Sequence, residues 1–331
     1  MGKKLISITP GEKYLSVTWQ VNNWCNFKCS YCNPGNWSGT DKNNGNLGQY
    51  LYNLDAIIKL YKAQGYKQFK FFFSGGEPTM WKNLIPICEW LRHELPECSI
   101  AVNTNLSRPL SWWKKHYHLF DDVVASFHIE HADKSSYEKN TLFLCDKLNY
   151  LSSKMLMHDE RFWEVVEYGE HLKKVLPNYH IEWTPLFDEM SIHAKPWEYK
   201  DPEKVKFLEK HTVDHAETIF KPHKESRTIS YANYNDGTTV HVDSNELIIN
   251  RENFFKGWNC DVGDCIFINP VGNVSLSSCG EGGQVGNILD DISGIGPNSV
   301  ICGKEHCHCG TDILIPKAAL EKKIKIVKKN A

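Results

Sequence analysis

Long apolar runs are missing from this chain of 331 residues, and no stretch approaches the roughly 18 needed to span a bilayer. An excess of charge is missing too, with 38 Lys+Arg against 40 Asp+Glu and a formal net charge of −2. No strong overall field therefore selects nucleic acid or an anionic membrane. The opening residues, Met1-Gly2-Lys3-Lys4-Leu5-Ile6-Ser7, lack the long apolar core of a secretory signal, so the expected location is cytoplasmic. There is no internal repeat and no low-complexity linker. With 41% hydrophobic residues the chain can bury a real core, which excludes disorder and collagen-like repetition.

Cysteine, by contrast, is plentiful. Of 12 cysteines, three fall at 25–32 and six at 260–309, leaving Cys88, Cys98 and Cys145 apart. Such clustering, with no secretory leader, favours metal or iron–sulfur ligation over a disulfide scaffold. Cys88 and Cys145 fall on apolar helical faces and read as inert core thiols.

Periodicity gives six short apolar runs, at 15–20, 69–73, 99–103, 122–127, 153–157 and 181–185. Helical patterns fall between and after them at about 48–64, 79–95, 109–118, 135–151 and 159–176. In the second of these, Leu84, Ile87, Cys88 and Leu91 share one face. Strands alternating with helices predict an α/β fold of parallel βαβ units. Six units fall short of the eight in a closed TIM barrel, so the expected form is a partial (β/α)6 TIM-like barrel over residues 1–225. A small hairpin-containing domain is expected over 226–315, with turns at Asp236-Gly237 and at Pro270-Val271-Gly272-Asn273. Residues 316–331 read as a basic, helical tail.

Two motifs follow successive strands. The first is Cys25-Asn26-Phe27-Lys28-Cys29-Ser30-Tyr31-Cys32, a C-x3-C-x2-C spacing. Three thiolates on one loop can hold three irons of a [4Fe–4S] cube and leave the fourth open to a ligand. Zinc is the competing metal, but a structural zinc site normally takes four protein ligands, and this loop has no histidine. The second motif is Ser74-Gly75-Gly76-Glu77-Pro78. Its glycines allow close backbone approach, and its carboxylate, at a strand's carboxyl end, could meet an ammonium group.

With both motifs in this order, the chain resembles the radical S-adenosylmethionine (radical SAM) superfamily, over residues 14–190 and less closely over 255–315. The resemblance implies that Cys25, Cys29 and Cys32 ligate a [4Fe–4S] cluster whose open iron chelates SAM. It also implies that Gly75 and Gly76 bind the cofactor, that Tyr31 packs near the adenine, and that Glu77 receives the methionyl amino group. Ser126 would contact ribose or carboxylate, and Asn103, Thr104 and Asn105 would line the cavity floor. The arginine often found after the fourth strand is absent here, leaving Lys134 or Lys139 to substitute. The glycine-rich motif many members carry at the fifth strand is also missing around Met155-Leu156-Met157-His158. Phe71, Phe73 and Phe127 would line the cavity or, equally, fill the core. The chemistry implied is reductive cleavage of SAM to a 5′-deoxyadenosyl radical that abstracts hydrogen from substrate.

The later cysteines, Cys260, Cys265, Cys279, Cys302, Cys307 and Cys309, look like a twitch or SPASM-type auxiliary extension. One auxiliary [4Fe–4S] cluster is expected, on Cys260, Cys279, Cys307 and Cys309, with Cys302 close behind and Cys265 least favoured. A zinc ribbon using His306 or His308 is the alternative. Residues after the strands are candidates for substrate contact or proton relay: His128, with Ser126 on the same face, then Glu130, His131, His158, Glu182 and Trp183. The loop from Asn33 to Asn46, with Trp37, could lid the site. The expected partners are a small-molecule or peptide substrate and an external electron donor such as flavodoxin or ferredoxin. The alternative function is a zinc-stabilised binding module contacting RNA or protein.

Overall fold

The computed structural model describes residues 2–33, 35, 37–39, 45–176, 180–187, 197–218, 230–242, 244–307 and 309–320. A strand that the sequence pattern did not single out, β1 (Leu5–Pro10), precedes the six anticipated ones. Those six are β2 (Tyr14–Gln20), β3 (Gln68–Ser74), β4 (Ser99–Thr104), β5 (Asp122–Phe127), β6 (Tyr150–Leu156) and β7 (His180–Thr184). They pair in parallel and in chain order, and helices connect them: α1 (Leu47–Ala63), α2 (Leu84–Glu94), α3 (Leu110–His116), α4 (Lys134–Leu144) and α5 (Phe162–Val175). The architecture is α/β with an open sheet; no closed barrel forms among the described residues.

The helices start where capping chemistry permits. Asn46 accepts from Gly48 N ahead of α1, and Asp133 accepts from Ser136 N ahead of α4, satisfying otherwise unpaired helix donors. Leu84, Ile87, Cys88 and Leu91 of α2 are all buried, as their spacing predicts. Proximal to α2, Pro78–Met80 forms a separate 3-10 turn capped by Glu77, so the expected helix start at Thr79 moves to Leu84. The expected helix 135–151 is also shorter, because Tyr150–Ser153 pair with Asp122–Ala125 of β5. There tertiary pairing overrides the weak strand propensity of consecutive serines.

Strand side chains alternate between two faces. Leu15, Val17, Trp19, Phe69, Phe71, Phe73, Ile100, Val102, Val123 and Met155 are buried in the main hydrophobic core with residues of α1, α2 and α5. The other face carries Thr18, Lys70, Asn103, Ser126, Lys154, Glu182 and Thr184. That polar face, and the loops at the strands' carboxyl ends, are where the chemistry sits.

The remaining elements are α6 (Pro202–Thr218), β8 (Ser230–Tyr234), β9 (Thr239–Val242), α7 (Ser244–Ile249), β10 (Asn259–Cys260), β11 (Cys265–Ile268), β12 (Asn273–Leu276), β13 (Gln284–Asn287), β14 (Val300–Ile301) and β15 (Lys317–Ala318). Strand β11 adds in parallel to β2 and is followed by antiparallel β12 and β13, so the first sheet has nine strands. The tip of the β11–β12 hairpin has Gly272 at φ +87°, a conformation glycine adopts without strain. A second, six-stranded sheet runs β14-β10-β15-β1-β8-β9. Thus β1 pairs with β8 and β15 from the far end of the chain, while β11–β13 extend the first sheet. The boundary expected at 225 and most of the basic tail lie outside the described residues. Among those described, no helix is long and apolar enough to cross a membrane.

Candidate active site

The loop after β2 is held by the loop after β3. Val21 N donates to Ser74 O at 2.9 Å, Gly76 N to Asn22 O at 2.9 Å, and Glu77 N to Trp24 O at 2.8 Å. Gly75 sits at φ +139°, and a Cβ there would lie 2.4 Å from the Asn22 carbonyl oxygen. Only glycine permits this approach. The cysteine loop turns with Cys32 N donating to Cys29 O at 3.1 Å, and none of Cys25, Cys29 and Cys32 is in a disulfide.

Those three cysteines line a cavity of about 310 Å³ at the carboxyl ends of the parallel strands. Gly75 and Gly76 line it too, as do Asn103, Thr104, Asn105, Ser126 and His128. Tyr31 stands beside His128 with the rings stacked, centroids 6.0 Å apart. Ser126 Oγ donates to Asn103 Oδ1 at 3.2 Å. Asn105 Nδ2 donates to Asn26 Oδ1 at 3.0 Å and faces Cys25 Sγ at 3.6 Å. Sequence elements far apart thus converge on one cavity.

The geometry bears on three of the expectations. Glu77 is fully buried and does not line the cavity. Its Oε1 accepts from Thr79 N, Thr79 Oγ1 and Thr104 Oγ1, and its Oε2 from Asn105 N at 2.7 Å. Burial pushes its pKa up, and those donors pull the other way. The carboxylate is consumed in holding the β3 and β4 loops together; what this motif offers the cavity is Gly75 and Gly76.

Second, of the two readings open for Phe71, Phe73 and Phe127, they take the core one. The cavity's apolar wall comes instead from Phe27, Leu156, Pro185, Leu186 and Phe187. Strand alternation decides this, since Phe71 and Phe73 share the face of Phe69.

Third, Lys134 and Lys139 are exposed on α4, with Lys134 Nζ 5.4 Å from the Tyr168 ring. The lysine at the cavity is Lys154 of β6, its Nζ 3.5 Å from Glu182 Oε1. Alternation along β6 could have picked it out, because Lys154 and Leu156 share a face.

The other candidates brace the site. Glu130 accepts from Ser30 N at 2.8 Å and lies 3.3 Å from His158 Nε2, so that pair buttresses the cysteine loop. The Trp183 ring packs against Phe207, 5.3 Å between centroids. His131 lies beside Phe27. Of the lid candidate, residues 34, 36 and 40–44 lie outside the described residues, and Lys28 Nζ stands 5.7 Å from the Trp37 ring.

Burial raises the Cys25 thiol to about 11 and the Cys29 thiol to about 12, and lowers His128 to about 4. That burial favours the neutral thiol at Cys25 and Cys29, and metal binding would release their protons.

A second cavity, of about 510 Å³, is lined by Cys260, Cys279, Cys302, Cys307 and Cys309. His306 lines it as well, while His308 lies outside the described residues. Cys265 is buried behind this wall, its Sγ donating to Asp312 Oδ1 at 3.3 Å. Asp312 also accepts from Cys279 N at 2.8 Å and Ser278 Oγ at 2.8 Å, which fixes the turn carrying Cys279. With that hydrogen on Asp312, Ser278 Oγ is left to accept from the Cys309 thiol, 2.9 Å away. Burial raises Cys260 and Cys307 to about 12 each. Of the lone cysteines, Cys88 is buried and Cys145 half-buried.

Residues 19–177 match the family model described as Radical SAM superfamily. GTP 3′,8-cyclase of Pasteurella multocida is 26% identical over 107 residues, 31% of each chain. GTP 3′,8-cyclase of Klebsiella pneumoniae is 27% identical over the same length, again 31% of each. The match thus spans about a third of the curated relatives' length. Among solved structures, native anSMEcpe with bound AdoMet is similar at a TM-score of 0.47 and 17% identity, covering 85% of this chain and 79% of that one. The family match contains the cysteine triad, the Gly-Gly-Glu-Pro turn and β3 to β6. On that match, residues 19–177, just under half of the chain, form a Radical SAM superfamily domain.

Proposed function

We propose that Cys25, Cys29 and Cys32 hold a [4Fe–4S] cluster whose remaining iron takes SAM, above the polar face of a partial (β/α)6 TIM-like barrel. The observation that carries this reading is the convergence of three cysteine sulfurs from one loop, none in a disulfide, on a single cavity, with no fourth cysteine among its described lining residues. The donor set fits the group: thiolate is the usual ligand, and three thiolates leave one iron coordination position open. When bound, cluster and SAM together supply a one-electron cleavage that yields a carbon-centred radical.

The chain's own residues do the rest. Gly75 and Gly76 let backbone approach the ligand. Lys154 supplies the cation for a carboxylate, in place of Lys134 or Lys139 on α4. Ser126 and Asn103, already bonded to each other, present polar atoms beside it. Tyr31 and the apolar wall of Phe27, Leu156, Leu186 and Phe187 shield the cavity from water, which protects a radical from quenching.

The second cavity is read as a twitch- or SPASM-like auxiliary site. Its five lining thiols exceed the four that a [4Fe–4S] cluster takes, and Cys260, Cys279, Cys307 and Cys309 are assigned, with Cys302 as the spare. Zinc on four of the same cysteines or His306 is the competing occupant, and metal analysis separates the two.

The substrate is a small polar molecule or a peptide side chain. The relatives' GTP cyclisation is one candidate, supported only by the shared domain. The electron donor is external, of flavodoxin or ferredoxin type, and the setting is cytoplasmic. On this reading the chain is an enzyme of the radical SAM type, and the binding-module alternative is not retained.

Anaerobic purification tests the reading. The expected protein is brown, carries roughly eight irons for two cubes, and releases 5′-deoxyadenosine from SAM under reduction. Cys29→Ala should abolish that release. A colourless, zinc-loaded protein that leaves SAM intact would overturn it.

A further inference from the structure

The sulfur of Cys29 has unusual company. His128 Nδ1 lies 2.8 Å from the Tyr31 hydroxyl oxygen and 3.4 Å from Cys29 Sγ. The Tyr31 hydroxyl is also within hydrogen-bond reach of Cys29. The two rings are nearly parallel, 9° apart, and Phe27 packs edge-on against His128 at 6.1 Å. Stacking and packing therefore fix both polar atoms against one sulfur.

The protonation pattern follows from what a ligating cysteine can do. A thiolate only accepts hydrogen bonds. A bare Nδ1 would aim its lone pair at the sulfur, which is repulsive. The tautomer with hydrogen on Nδ1 removes that repulsion: its single N–H is shared between the Tyr31 oxygen at 2.8 Å and the sulfur at 3.4 Å, which leaves the Tyr31 O–H to donate to the sulfur as well. Cys25 has a weaker arrangement: Phe27 N donates to its sulfur at 3.3 Å and Asn105 Nδ2 lies at 3.6 Å.

We propose that Tyr31 and His128 form a two-donor clamp on the Cys29 sulfur, and that the clamp raises the reduction potential of the cluster held there. This rests on the assignment of Cys25, Cys29 and Cys32 as cluster ligands. The reduced cluster carries one more negative charge than the oxidised one, so donors aimed at a ligand sulfur stabilise it more. His128 is thereby a positioning residue acting through the cluster, in place of the proton relay anticipated from its strand position.

The test is a redox titration of the iron-loaded protein followed by EPR, without substrate. The cluster concerned is recognised as the one whose signal SAM perturbs. Tyr31→Phe keeps the ring and removes only the hydroxyl, His128→Leu removes the imidazole donor, and His128→Gln keeps an amide donor. Tyr31→Phe and His128→Leu should each lower the reduced-to-oxidised ratio at fixed potential about tenfold, which for one electron is a negative shift of about 59 mV. His128→Gln should recover most of it.

Unchanged midpoints in both loss variants, with the cluster assembled, would overturn the clamp. So would failure of both to assemble the cluster while the wild type does, since the pair would then merely hold up the loop. If one loss variant alone fails to assemble, the midpoint of the other decides. A wild-type protein with no SAM-sensitive signal would instead overturn the ligand assignment itself.

Discussion

The backbone N–H of Asn105 donates a 2.7 Å hydrogen bond to the carboxylate of Glu77, linking the loop after β4 to the loop after β3. Through it, one buried charge sets the position of Asn105, whose side chain faces Cys25 Sγ at 3.6 Å. Glu77 therefore shapes the site from behind.

That relationship predicts a separation of stability from binding. Glu77→Gln turns an amide N–H₂ toward donors that need an acceptor, and should destabilise the fold by roughly 1–3 kcal/mol. Urea unfolding of the iron-loaded protein, compared with SAM affinity, checks this. A variant of unaltered stability that binds SAM much more weakly would instead restore a direct contact by Glu77.

Lys154 is expected to carry the anionic group of the ligand. Lys154→Met should weaken SAM or substrate binding about tenfold, the size of one lost charge-assisted hydrogen bond. Iron content should not change. Lys134→Met, on the exposed surface of α4, serves as the control, and equal losses in the two would refute the assignment.

The second cavity makes a metal-counting prediction. Cys265 stands behind the wall, bonded to Asp312, so Cys265→Ser should keep the wild-type metal content. Cys279→Ala and Cys307→Ala should each lose metal while retaining some SAM cleavage, because the first site is left intact. Equal loss of SAM cleavage in Cys29→Ala and Cys307→Ala would contradict this division of labour.

Asp264 gives a pH dependence. It is 6% exposed and accepts a hydrogen bond from the Tyr66 hydroxyl, and burial raises its pKa to about 6. Its unfolded value lies near 3.9, so between these two values the folded state binds the extra proton. Stability contributed by this residue thus falls as pH rises from about 4 to 6, by at most about 3 kcal/mol. Asp264→Asn should flatten that part of the profile. Thermal unfolding at pH 5 and pH 7.5, wild type against variant, measures it, and parallel profiles would count against the assignment.

How much was legible in the sequence depends on how local each signal is. The six parallel strands follow from short apolar runs, and the buried stripe of α2 from its helical spacing. The cysteine triad stands on one loop of eight residues, so its spacing alone marks it. β1 escaped notice because its partners, β8 and β15, lie more than 200 residues away. Glu77 illustrates the reverse case: the motif marked the residue, yet whether its carboxylate faces ligand or protein depends on Thr79, Thr104 and Asn105. Lys154 was passed over for lysines nearer in sequence to the expected position.

The sequence by itself determined the α/β alternation, the pair of cysteine clusters and the loop that carries the first, since each is encoded in neighbouring residues and needs only periodicity or spacing to be read. Tertiary structure alone decided which side chains meet in each cavity, which cysteine stands aside, and that β11 joins the first sheet beside β2. Those outcomes depend on the pleat's two faces and on pairings between distant segments, where a shift of one residue would exchange the polar face for the core.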